Sequence, residues 1–236
     1  MTTGKKGKKE QVRTMFNDIA PKYDLLNHVL SMGIDILWRK KVRRLLATIQ
    51  PKRILDIATG TGDLAIELAK LKPEEIIGAD IAVDMLKIGE NKVKAKKLDS
   101  IIKMEPGDSE NLRFEDNYFD AVTVAFGVRN YENLLKGLTE MNRVMRPGGL
   151  VAILEFSKPH GFPFRNIYNF YFKNILPGVG RMVSKNDEAY TYLPDSVQKF
   201  PENKDFMEVM KQAGYSNINQ QRLTFGIATL YSATKV

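Results

Sequence analysis

Arg53-Ile54-Leu55-Asp56-Ile57-Ala58-Thr59-Gly60-Thr61-Gly62-Asp63 is the stretch on which the reading of this chain turns. Arg53 to Ala58 is a short apolar run bounded by turn residues, the pattern of a strand buried inside a sheet. Gly60 and Gly62 break it, and Leu64, Ala65, Leu68 and Leu71 then recur at helical spacing, so the glycines join a strand to the start of a helix. Glycine suits such a turn because it accepts positive φ and, lacking a Cβ, lets a ligand approach the backbone closely. A nucleotide-like ligand is the expected guest.

Two ligand classes fit. Gly60-Thr61-Gly62-Asp63-Leu64-Ala65 satisfies the GxGxxG/A dinucleotide pattern, and Asp80, at the end of the next apolar run, lies where a ribose-binding acid would sit. Asp56 tilts the choice. An acid just before the glycines is awkward for the pyrophosphate of a dinucleotide and favourable for the sulfonium and ammonium groups of S-adenosylmethionine. The plainer reading of Asp56 is a buried carboxylate that braces the turn.

The 236 residues suffice for one α/β domain with additions. There is no cysteine, which excludes a disulfide framework, a thiolate metal site and a thiol nucleophile; two separated histidines make a poor metal set. No apolar run is long enough to span a bilayer and the N-terminus lacks a signal-peptide core, so a cytoplasmic location is expected. The net charge of +8 is clustered, with Lys5, Lys6, Lys8 and Lys9 at the start and Arg39, Lys40, Lys41, Arg43 and Arg44 in a second block. With few aromatics beside that block, an anionic membrane surface fits it better than nucleic acid, which is not expected as a partner. The reading leaves a homodimer open.

Residues 1–9 read as a disordered basic tail and 10–236 as a single domain, with 10–50 as an N-terminal helical cap and 157–201 as an insertion covering the substrate. Gln11 to Ile19 forms a short helix that Pro21 stops, Lys22 to Leu30 is an irregular link, and Ile34 to Ile49 is an amphipathic helix. From Arg53 strands and helices alternate, the pattern of a parallel sheet covered on both faces. The strands are Arg53–Ala58, Glu75–Asp80, Ser100–Glu105, Phe119–Ala125 and Leu150–Phe156. Helices are expected at Val83–Lys97, Asn130–Met145 and Lys204–Ala213. Ile218–Arg222 and Gly226–Ala233 are joined by too few residues for a parallel crossover, so the sheet ends in an antiparallel hairpin. An α/β, seven-stranded sheet whose last strand enters antiparallel resembles the Rossmann-like class I fold of S-adenosylmethionine-dependent methyltransferases.

In such a sheet a ligand lies outside the carboxyl ends of the strands. That rule gathers Gly60, Thr61, Gly62, Asp80, Asp108, Ser109, Ala125, Phe126, Gly127, Arg129 and Asn130 around one crevice. Asp80 can accept the ribose hydroxyls of an adenosine, and Asp108 with Ser109 can meet its amino group.

Phe16-Asn17-Asp18-Ile19-Ala20-Pro21-Lys22-Tyr23-Asp24-Leu25-Leu26-Asn27, Leu30-Ser31-Met32-Gly33 and Trp38-Arg39 resemble the N-terminal signature of the menaquinone and ubiquinone C-methyltransferase family. Phe126-Gly127-Val128-Arg129-Asn130, Arg146-Pro147-Gly148-Gly149 and Leu154-Glu155-Phe156-Ser157-Lys158-Pro159 are similar to its later signatures. The resemblance implies S-adenosylmethionine as cofactor, a prenylated quinol as substrate and methylation of a ring carbon. By position it implies cofactor contacts at Thr61, Asp80, Asp108 and Ser109. Some members carry serine where Ala125 stands and asparagine where Asp108 stands. Menaquinone biosynthesis is the expected setting; the rivals are the ubiquinone-pathway benzoquinol reaction and a non-catalytic protein of this fold that binds quinone or RNA.

The reaction asks for a group that helps the acceptor hydroxyl lose its proton. Arg129 is the first candidate, with its guanidinium expected to face the cleft and lower the phenol pKa. Asn130 and Tyr23 are expected to hydrogen-bond the quinol oxygens. Phe162, Phe164, Ile167, Tyr168, Phe170, Tyr171, Phe172, Ile175 and Leu176 are expected to build a lid and a tunnel for the prenyl chain, docked with the N-terminal helices on the inner face of the membrane.

Overall fold

The computed structural model describes residues 7–31, 33–159, 161–163, 165–166, 170 and 187–236. Seven strands form one sheet in the order β3-β2-β1-β4-β5-β7-β6, with β1 Arg53–Ile57, β2 Glu75–Asp80, β3 Ile102–Pro106, β4 Phe119–Ala125, β5 Met145–Phe156, β6 Tyr215–Leu223 and β7 Ala228–Lys235. The first five pair in parallel, while β7 runs antiparallel to both β5 and β6. β6 and β7 are joined by Thr224-Phe225-Gly226, three consecutive residues at φ 45°, 56° and 92°, which turn the chain back at once.

The strands are apolar on both faces, as a doubly covered sheet requires. Ile54, Ala121, Ala152 and Leu154 pack under α3 (Ile34–Leu46) and α4 (Asp63–Leu68). Leu55, Ile57, Val122, Val124, Val151 and Ile153 pack on the opposite side, under α6 (Leu134–Val144) and the helix over Lys204–Gln212. β1 therefore sends alternate residues into two separate cores. α5 (Val83–Ala95) covers β2 and β3.

The cap departs from expectation in two places. α1 spans Lys8–Ile19, so Lys8 and Lys9 belong to a helix rather than to a tail. Pro21 does not end the helical path: it lies in the first turn of a 3₁₀ segment, Ala20–Lys22, where its missing N–H costs nothing, and α2 follows over Tyr23–Leu30 where an irregular link was expected. In the insertion, α7 covers Asp187–Lys199, and α8 is the Lys204–Gln212 helix that follows it. Of the aromatic lid positions, Phe164, Ile167, Tyr168, Tyr171, Phe172, Ile175 and Leu176 lie outside the described residues. Phe162 and Phe170 are both exposed.

Candidate active site

The ends of β1, β2, β3 and β4 open onto one cleft of about 660 Å³, including its mouth. The sheet supplies Gly60, Asp80, Asp108, Ser109, Phe126 and Asn130 to its wall, and the cap roofs it with Val12, Phe16 and Tyr23. The cleft thus brings acids and aromatic rings together. Among the expected site residues, Gly60, Asp80, Asp108, Ser109, Asn130 and Tyr23 line it; Asp56, Thr61, Gly62 and Arg129 do not.

Asp80 is held by two backbone donors, the N–H of Gly60 and that of Ala82, each at 2.8 Å. Burial pushes its pKa up while those N–H groups pull it back down. Its carboxylate therefore fixes the turn and still presents an edge to the cleft. Gly60 sits at φ +57°, and a Cβ there would lie 3.4 Å from Met85 Cε and 3.7 Å from Tyr23 Cε1. Met85 and Tyr23 thus pack close over the turn.

Asp56 lies beneath the turn rather than in the cleft. It is 1% exposed, and its two oxygens accept hydrogen bonds from the hydroxyls of Thr59 at 2.6 Å and Thr123 at 2.7 Å. Burial first, and Asp80 as a like charge, raise its pKa to about 6 against the pull of the two threonines. The expectation of a direct ligand contact by Asp56 is corrected to a bracing role. Thr59 carries the brace onward, donating its N–H to Ala79 O at 3.2 Å and accepting from Gly62 N at 2.9 Å.

Thr61 also turns away. Its hydroxyl donates to Asp24 Oδ1 at 2.5 Å and accepts from Lys92 Nζ at 3.1 Å. Lys92 further contacts Asp63 and Asp24 Oδ2, the latter at 2.9 Å, and Arg39 bridges Asp63 at 3.4 Å and Asp35 at 2.7 Å. This cluster joins α2, the glycine turn, α3 and α5 behind the cleft. Gly62, at φ +80°, packs on Met104, whose Cε would lie 3.2 Å from an added Cβ.

Asp108 pairs with Lys9 Nζ at 2.8 Å, and Glu110, buried beside it, accepts from the N–H groups of Glu132 and Asn133. Lys8 Nζ donates to the carbonyls of Arg129 and Tyr131 at 3.1 and 2.5 Å. The first turn of α1 is therefore part of the wall. Nothing in the lysine run distinguishes Lys8 and Lys9 from their neighbours until the fold brings acids and carbonyls to them.

Arg129 does not face the cleft, contrary to expectation. Its side chain is 7% exposed, Nη1 donates to Glu155 Oε1 at 2.7 Å and also to Phe126 O, and Cζ lies 5.5 Å from the Phe156 ring centroid. Glu155 is fully buried; burial raises its pKa while Arg129 pulls it down. Sequence reasoning missed Glu155, although an acid inside the apolar run Leu150–Phe156 is the same signal that marked Asp56. Asn130 does reach the cleft, with Oδ1 accepting from the Tyr192 hydroxyl of α7 at 3.0 Å. Burial raises the pKa of the Tyr23 hydroxyl, which keeps it a neutral donor at physiological pH.

Solved structures share this architecture. The [4+2]-cyclase SpnF superposes with a TM-score of 0.69 at 15% identity, covering 97% of this chain and 96% of its own. Haemonchus contortus phosphoethanolamine N-methyltransferase 2, in complex with S-adenosyl-L-methionine, gives 0.57 at 18% identity, covering 78% of this chain and 48% of its own. At such identities the likeness concerns the fold, and a cyclase among the matches shows that the fold alone does not name a reaction. Sequence says more. Demethylmenaquinone methyltransferase of Bacteroides fragilis is 47% identical over 229 residues, 97% of this chain and 94% of the relative. Ubiquinone/menaquinone biosynthesis C-methyltransferase UbiE of Geobacter sulfurreducens is 44% identical over 230 residues, 97% of this chain and 90% of the relative. The family model for the ubiE/COQ5 methyltransferase family matches residues 3–235. The chain belongs to the ubiE/COQ5 methyltransferase family.

Proposed function

We propose that this chain methylates a ring carbon of demethylmenaquinol, with S-adenosylmethionine as donor, in menaquinone biosynthesis. One observation carries the reading: the ends of β1 to β4 and the cap bring two acids, Asp80 and Asp108, into a single cleft with the aromatic rings of Phe16, Tyr23 and Phe126. The donor set fits the cofactor. Asp80 offers carboxylate oxygens to ribose hydroxyls, Asp108 and Ser109 offer polar groups to the adenine edge, and the backbone at Gly60, which lines the cleft without a Cβ, takes the amino-acid end. The cofactor, when bound, supplies an electrophilic methyl group.

The rest is the work of this chain. The aromatic wall takes the flat acceptor ring and excludes water. Asn130, braced by Tyr192, and the neutral Tyr23 hydroxyl orient the quinol oxygens by hydrogen bonds. The Arg129–Glu155 pair holds the loop that carries Asn130, and the guanidinium acts on the acceptor through that placement. A prenylated acceptor resides in a bilayer, so the enzyme works at the inner membrane surface; among the described residues no helix is long and apolar enough to cross it. The test is methyl transfer to demethylated menaquinol, measured against a benzoquinol analogue. Turnover of the naphthoquinol is expected, and turnover of the benzoquinol alone, or of neither, overturns the assignment.

A further inference from the structure

The second basic block of the sequence is split by the fold into two populations. Arg39 and Arg43 are spent on acids: Arg39 on Asp35 and Asp63, and Arg43 on Glu67 at 2.8 Å. Lys40, Lys41 and Arg44 form no ion pair among the described residues. These three share the outer face of α3 with Ile36 and Leu37, all five within an arc of roughly 140° at 3.6 residues per turn. No acid lies on that arc; the only acid of α3, Asp35, is buried on the other side. Ile36 and Leu37 are 42% and 61% exposed, which is unusual for a helix with a well-filled inner face.

Beside this face stands the β6–β7 turn. Trp38 Nε1 donates to Thr224 Oγ1 at 2.8 Å and so ties the turn to α3. The next residue, Phe225, is held at φ 56° and is 68% exposed. Lys41 and Arg44 border an open groove of about 780 Å³ whose far side is Gln220 and Gln221 of β6. Trp38 also reaches back to the cleft: its ring centroid is 5.8 Å from that of Phe126, which stacks on Phe156 at 4.3 Å. Ring packing therefore joins the cleft wall to the inner side of α3.

We infer that the outer face of α3 and the β6–β7 turn form the surface by which the protein rests on an anionic phospholipid bilayer, a conclusion that rests on the acceptor being prenylated. Leu37, Ile36 and Phe225 enter the headgroup boundary. Lys40, Lys41 and Arg44 meet lipid phosphates, with the groove between Arg44 and Gln221 beside them. Three unpaired cations with no neighbouring acid fix the sign of the partner, and exposed apolar side chains beside them select a bilayer over a soluble polyanion.

Flotation of the full chain with vesicles of phosphatidylcholine, with and without one-third phosphatidylglycerol, tests this. The wild type is expected to float with the anionic vesicles and to be released as salt rises. At about fivefold in partitioning per cation, the triple variant Lys40→Glu, Lys41→Glu, Arg44→Glu should lose roughly a hundredfold or more. The double variant Leu37→Ser, Phe225→Ser should also float poorly. A control with the same change of charge on exposed residues of and just beyond α5, Lys94→Glu, Lys96→Glu, Lys97→Glu, should float as the wild type does. Equal loss in the control, or none in the first two variants, overturns the proposal. Methyl transfer to a tail-less demethylated naphthoquinol in detergent-free buffer should be unchanged in all three. Absence of that activity in the wild type would count against the acceptor assignment and leave the flotation result standing.

Discussion

Lys92 Nζ lies 2.9 Å from Asp24 Oδ2, and the residue before Asp24 is the tyrosine that roofs the glycine turn. The lysine touches no part of the cleft, yet it ties the roof to the turn through Asp24, Thr61 and Asp63. Lys92→Met is expected to free the roof and weaken S-adenosylhomocysteine binding about tenfold, or ~1.4 kcal/mol, with Lys92→Arg recovering most of it. Titration calorimetry reads the change directly, without an acceptor.

Asp80→Asn should act more strongly because it removes a charged acceptor that lines the cleft. Hydrogen bonds to charged groups contribute about 1.5–3 kcal/mol, so binding of the same ligand should weaken by about ten- to a hundredfold. Asp108→Asn, at a position already shared with the Lys9 ion pair, should cost less. The same calorimetric series ranks the two.

Arg129 and Glu155 should fail together. Removing one partner leaves the other charge buried and uncompensated, at about 3–5 kcal/mol. Arg129→Ala is therefore expected to lower the unfolding free energy by that order and to depress kcat. Glu155→Gln keeps the volume and should destabilise less. If Arg129→Ala abolished turnover while leaving denaturant stability intact, the guanidinium would have to act on the acceptor itself.

Asp56 has a folded pKa of about 6, above its ordinary 3.8. The folded state thus holds the proton more tightly than the unfolded chain. The stabilising effect is full below the unfolded pKa and is lost as pH rises through about 6, so at neutral pH this residue costs up to about 3 kcal/mol. Asp56→Asn should remove that slope. Its stability relative to the wild type should rise between pH 4 and pH 7, as followed by thermal unfolding across that range.

Gly127 separates the loop after β4 from the loop after β1. A Cβ there would lie 2.5 Å from the Ala58 Cβ and 2.9 Å from Val124 Cγ1. Gly127→Ala should push the two loops apart at about 1–3 kcal/mol and widen the cleft. Reduced stability together with weaker cofactor binding is the expected pair of readouts.

Much of this fold was legible in the chain. β2 and β4 fall at Glu75–Asp80 and Phe119–Ala125 because unbroken apolar runs between turn residues permit little else. The terminal hairpin followed from the shortness of its connection. The cap was harder. Pro21 reads as a stop just before Tyr23–Leu30, and that helix is positioned by Asp24 reaching Thr61 and Lys92, contacts made across long stretches of sequence. The site divided along the same line. Spacing placed Arg129 at the end of β4, but only the fold shows that Glu155 meets its guanidinium before any ligand can.

Lys8 and Lys9 close on Tyr131 and Asp108, residues made 123 and 99 positions later. During synthesis, which proceeds at about 5–20 residues per second, the opening helix leaves the ribosome many seconds before its docking partners exist. α1, made before the loops it docks on, is thus late to find its place, and a change that displaced its first turn would be felt at the ligand before it was felt in the core.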